Sequence, residues 1–93
     1  MKLKEIIGNP QTTLIDVRST TEYNIEHIPG AINIPLHELQ YRISEIDHIK
    51  SNPIVLYCRS GNRSGMAVQY LQQQGYANVY NGEGIHDIQY YLN

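Results

Sequence analysis

The spacing of the short apolar runs constrains this chain most. Segments 13–17 (TLIDV), 31–34 (AINI), 53–58 (PIVLYC) and 78–80 (NVY) are brief, mostly β-branched or aromatic, and bounded by Gly, Pro, Asn or Ser. That is the pattern of strands. Because the runs are nearly continuous in apolar residues and do not alternate, both faces of each strand must be covered. The stretches between them, 18–30, 35–52 and 59–77, are each long enough for the dozen or so residues a parallel crossover needs. Hairpins are thereby disfavoured and βαβ units favoured.

Apolar residues recur at helical spacing in the remaining segments. Leu36, Leu39, Ile43 and Ile46 form one stripe, Met66, Ala67, Tyr70 and Leu71 a second, and Ile85, Ile88, Tyr91 and Leu92 a third. Each is expected to face the sheet. Ser19 followed by Glu22 predicts a capping box and a helix starting just after Arg18. Gly75 predicts a helix stop, Pro29 and Gly30 a turn into the second strand, and Pro35 the end of that strand. The expected class is α/β, a small, mainly parallel sheet between helices in three layers. At 93 residues there is room for one domain, 1–93.

Charge and composition remove several functions. The net charge is −2 and the seven Lys and Arg are scattered, leaving no basic stripe for a nucleic acid. The eight tyrosines are not interleaved with such a stripe and read as core and helix-face residues. No run approaches the ~18 apolar residues of a membrane span, and the N-terminal MKLKEIIGNP carries no apolar export segment. No membrane association is expected. Cys58 is the only cysteine, so the chain alone can form no disulfide, CxxC pair or thiolate zinc site, and a reducing, cytoplasmic setting is expected. His27, His37, His48 and His86 show no metal-ligand spacing, and no metal or organic cofactor is implied.

Parallel sheets bind ligands beyond the carboxyl ends of their strands, which directs attention to 58–64 (CRSGNRS). Gly61 and Asn62 tolerate unusual backbone angles, so the loop can turn successive N–H groups inward as an anion nest at a helix N-terminus. A lone cysteine closing an apolar strand is ordinarily inert packing. Two arginines within five residues of it reverse that balance: Arg59 and Arg63 would favour the thiolate, which is the nucleophile, and would hold an oxyanion. Asp16, Arg18 and Glu22 are expected to play supporting roles, Arg18 pairing with Glu22 at a helix start and Asp16 anchoring a neighbouring loop.

Four segments, LIDVRSTTEY at 14–23, EHIPGAINIP at 26–35, IVLYCRSGNRS at 54–64 and YLQQQGYANVYNGEGI at 70–85, follow one family's order and spacing. The chain resembles a single-domain rhodanese, a thiosulfate sulfurtransferase-type domain. The resemblance implies the rhodanese-like three-layer fold and a persulfide formed on Cys58. The amides of Arg59, Ser60, Gly61, Asn62, Arg63 and Ser64 would cradle it, with Arg59 or Arg63 on the sulfur donor. Thiosulfate or a persulfide would give the sulfur; cyanide, a small thiol or a protein cysteine would take it. Glu26 stands where the family commonly has Gly, Glu83 interrupts its usual double Gly, and its frequent C-terminal Trp is absent. The chain also begins too close to its first helix for the short opening strand many members have.

Two other functions compete. A phosphatase or arsenate reductase on the same fold is disfavoured because Cys/Arg phosphatase loops place one residue more than the four found here between Cys58 and Arg63. A non-catalytic binding or sulfur-carrier module is disfavoured because such modules usually lack the cysteine, which this chain keeps with both arginines.

Overall fold

The computed structural model describes residues 2–93. The elements, in chain order, are α1 (Leu3–Gly8), β1 (Thr13–Asp16), α2 (Thr20–Ile25), β2 (Ile32–Asn33), α3 (Leu39–Arg42), β3 (Ile54–Cys58), α4 (Asn62–Gln73), β4 (Val79–Gly84) and α5 (Ile85–Leu92). The four strands make one sheet in the order β2-β1-β3-β4, parallel throughout. The expected α/β architecture is present.

The central strand explains the layering. Every residue of β3 is buried, and successive side chains must point to opposite faces. Ile54, Leu56 and Cys58 pack with Leu39, Ile46, Ala67 and Leu71 on the α3/α4 side. Val55 and Tyr57 pack with Ile6, Ile7, Ile85 and Ile88 on the α1/α5 side. Burying each of these branched aliphatic side chains is worth about 1.5–3 kcal/mol, so β3 cannot slip by one residue without exchanging two cores. That register carries Cys58 to the carboxyl end of the sheet.

Several elements differ from their expected form. An opening helix, α1, buries Ile6 and Ile7; at six residues it is too short to display a repeating stripe. The segment expected as one helix from Leu36 is α3 flanked by 3₁₀ turns at Leu36–Glu38 and Ile43–Ile49. Ile43, Ile46 and Ile49 stand three apart, which is the 3₁₀ period. In α4 the buried face is Ser64, Ala67 and Leu71, so Met66 is exposed, as is Leu92 in α5.

β2 is only Ile32–Asn33, whereas β4 extends to Gly84 through an irregularity. Leu56 pairs with Asn81 but Cys58 pairs with Gly84, so Gly82 and Glu83 together oppose Tyr57. This is a β-bulge, a device that re-aims side chains at strand ends. No described helix is long and apolar enough to cross a membrane.

Candidate active site

Cys58 ends β3, and three residues later Gly61 opens α4 with φ 99°. Only glycine adopts that angle freely, and a side chain on residue 61 would collide with the Glu83 carboxylate. The tight turn brings the Gly61 N–H to 3.0 Å from the Cys58 Sγ, to which it donates. One turn into α4, the Ser64 Oγ lies 3.4 Å from the same sulfur.

The thiol itself is buried, 1% exposed, because the strand register carries it inside the α3/α4 layer. Burial pushes its pKa up, but the Ser64 hydroxyl and the amides of Ser64, Ser60 and Gly61 oppose this and leave it below the ordinary cysteine value. Hydrogen-bond donors of the loop, more than the guanidinium groups expected from the sequence, supply that stabilisation.

Arg63 does not stand free as an oxyanion contact. Its Nη1 and Nη2 donate to Glu22 Oε1 and Oε2 at 2.7 and 3.1 Å. Glu22 is fixed in turn by the capping box of α2, where the Ser19 Oγ accepts from the Glu22 N–H at 3.1 Å and the Ser19 N–H donates to Glu22 Oε1 at 3.0 Å. The Arg63 guanidinium, with help from Ser19, brings the Glu22 carboxyl down to about 2 against its burial. The expected capping box is present, but its acid also holds Arg63 of the 58–64 loop.

Arg18 therefore does not pair with Glu22. It precedes the cap residue Ser19 and so is not on the helix, where spacing by four would bring the two together. Its Nε donates to both Asp16 carboxylate oxygens at 3.0 and 3.1 Å, its Nη2 donates to Oδ2 at 2.7 Å, and its backbone N–H donates to Oδ1 at 2.9 Å. Both residues are buried, and the guanidinium lies 5.8 Å from the centre of the Tyr57 ring. A buried pair so thoroughly hydrogen-bonded is rigid structure, and removing either partner would strand a charge.

Three residues of β4 hold the loop, of which sequence reasoning noted only Glu83, and that as a departure from the family pattern. Asn81 donates from Nδ2 to the Gly61 carbonyl at 3.1 Å, while its Oδ1 accepts from the Ser64 hydroxyl at 2.7 Å and the Glu83 N–H at 2.9 Å. At Gly84 a Cβ would strike the Arg59 carbonyl, so the bulged strand packs backbone to backbone on the loop. Glu83 completes the contact over Gly61. The one sequence signal was the unusual NGEG run; its partners lie some twenty residues away. Arg59 is exposed beside a shallow depression shared with Arg18, Glu22, Glu26 and His86.

A protein-family model described as Rhodanese-like domain matches residues 1–84. This chain belongs to the rhodanese family. The thiosulfate sulfurtransferase PspE of Escherichia coli K12 is 43% identical over 74 residues, 80% of this chain and 71% of that protein. A sulfurtransferase of Allochromatium vinosum is 45% identical over 71 residues, 76% of this chain and 64% of that protein. Among solved structures, one described as a rhodanese with anions from E. coli aligns with a TM-score of 0.76 at 41% identity, over 82% of this chain and 89% of that one. The rhodanese fold and the sulfurtransferase role read from the sequence agree with these relatives.

Proposed function

We propose that the 93 residues act as one rhodanese domain, a thiosulfate sulfurtransferase working through a persulfide on Cys58. The observation that carries this reading is the position of the sulfur: a thiol with a lowered pKa, at the end of the central strand, accepting from the Gly61 N–H. A thiolate there attacks the outer sulfur of thiosulfate, the S–S bond breaks, and sulfite leaves with the bonding electron pair. The outer sulfur stays on Cys58 as a persulfide. An acceptor such as cyanide, a small thiol or a protein cysteine then attacks that sulfur and releases the Cys58 thiolate.

The loop residues divide the work. The Ser60, Gly61 and Ser64 amides and the Ser64 hydroxyl stabilise the negative sulfur, and Asn62 begins the helix that aims them. Arg59, free of any ion pair among the described residues, meets the donor. Arg63, tied to Glu22, braces the loop. A reducing compartment such as the cytoplasm suits a lone thiolate.

Turnover tests the reading directly. Wild-type protein supplied with thiosulfate and cyanide is expected to form thiocyanate with ping-pong kinetics, and Cys58→Ser to form none. Turnover retained in that variant, or an ordered ternary mechanism, would refute it.

A further inference from the structure

Glu83 is the only non-glycine residue with positive φ among the described residues, at 68°. That left-handed region is costly for a side chain with a Cβ and readily accepts glycine. Its neighbours Gly82 and Gly84 are held to glycine by space, since a Cβ at Gly82 would press on Ile88 and Val55 and one at Gly84 on the Arg59 carbonyl. Residue 83 is exposed and has no such restriction, and a glycine would relieve its strain. The chain instead keeps a glutamate there, and strain retained beside a reacting group points to use of the side chain.

The carboxylate has no hydrogen-bond or ion-pair partner among the described residues. It lies against Gly61, in the space a side chain at that position would need. Because the Gly61 N–H is itself bonded to Cys58 Sγ, backbone dimensions put a carboxylate oxygen of Glu83 within about 8 Å of the sulfur. Arg63 is neutralised by Glu22 and Arg18 by Asp16. Glu83 therefore opposes Arg59, the one guanidinium of the loop without an ion-pair partner.

We propose that Glu83 sets the charge selectivity of Cys58, disfavouring anionic reagents and donors in proportion to their charge, so that a monoanionic persulfide is favoured over dianionic thiosulfate. The inference rests on the sulfurtransferase reading for its physiological meaning, but the charge effect stands apart from sulfur transfer. At about 8 Å in water-like surroundings one unit of charge changes reactivity about twofold, and a dianion such as thiosulfate is affected about fivefold.

The test compares wild type with Glu83→Gln, which keeps side-chain size and backbone strain, and with Glu83→Gly, which removes both. Cys58 is alkylated with anionic iodoacetate and with neutral iodoacetamide, and turnover is measured with dianionic thiosulfate and with an alkyl persulfide, a monoanion near neutral pH. In both variants the iodoacetate-to-iodoacetamide rate ratio is expected to rise about twofold and the KM for thiosulfate to fall about fivefold, with the persulfide KM falling only about twofold. Both differences should vanish in about 1 M salt, and Glu83→Gly should also melt higher. An unchanged alkylation ratio, or equal KM changes for the dianionic and the monoanionic donor, overturns the role of Glu83. The expected ratio in a protein that takes sulfur from neither donor would support the charge effect and refute the sulfurtransferase reading instead.

Discussion

Ser64→Ala isolates the feature that most favours the Cys58 thiolate. The hydroxyl lies 3.4 Å from the sulfur and is the foremost of the groups that lower its pKa. A hydrogen bond to a charged group is worth about 1.5–3 kcal/mol, but two features reduce that figure here. The contact is long, and donating to sulfur requires the single hydroxyl proton to leave Asn81 Oδ1, which it reaches at 2.7 Å. A net loss of about 1 kcal/mol follows, or somewhat under one pH unit of thiol pKa. Folding should suffer little, because Asn81 Oδ1 keeps its bond from the Glu83 N–H at 2.9 Å and the deleted atom leaves a small void. The assay is the pH dependence of iodoacetamide alkylation at Cys58. Its midpoint should move up by about half to one pH unit, since a less stabilised thiolate forms only at higher pH. Below the midpoint the rate should fall only about threefold, because the thiolate that remains is more nucleophilic as its pKa rises. An unmoved midpoint in a folded variant would refute the assignment of the lowered pKa to this hydroxyl.

Two further outcomes test the frame around the loop. Glu22 gains its Arg63 partner only on folding, so its depressed carboxyl adds stability that is full above its ordinary value of 4.5 and is lost as pH falls to about 2. With these side chains 30% and 37% exposed, the contribution is about 1 kcal/mol after solvent screening; urea unfolding should show wild type exceeding Glu22→Gln by that much near neutrality and the gap closing through this range, and a pH-independent gap would contradict it. Tyr57→Phe should lose about 1–3 kcal/mol in the same assay, because the Ile28 N–H, which donates to the Tyr57 hydroxyl at 3.1 Å, is left unpaired in a buried site. A neutral result would mean that amide finds another partner.

What the sequence made legible was local. The apolar PIVLYC run, the Ser19/Glu22 box and the CRSGNRS loop each declare themselves within a few residues, and each takes its expected place in the structure. Contacts across the chain were not legible in this way. Glu22 meets Arg63 over a separation of 41 residues, and Asn81 reaches Ser64 and Gly61 from a different strand. Nothing in either neighbourhood announces its partner. Arg18 was misassigned because spacing by four implies a pair only when both residues are helical. The burial of Cys58 follows from strand register, which a list of motifs does not contain. Glu83 was visible as an oddity of composition, but its position against Gly61 required the bulge in β4.

The central claim is that sulfur rests covalently on Cys58, and the intact mass of the protein tests it most directly. After incubation with thiosulfate and removal of excess donor, the mass should rise by one sulfur atom. Dithiothreitol should reverse the gain, Cys58→Ser should show none, and cyanide should discharge it with stoichiometric thiocyanate. An unchanged mass in protein whose Cys58 still alkylates readily would contradict the persulfide mechanism, as would a gain that persists in Cys58→Ser.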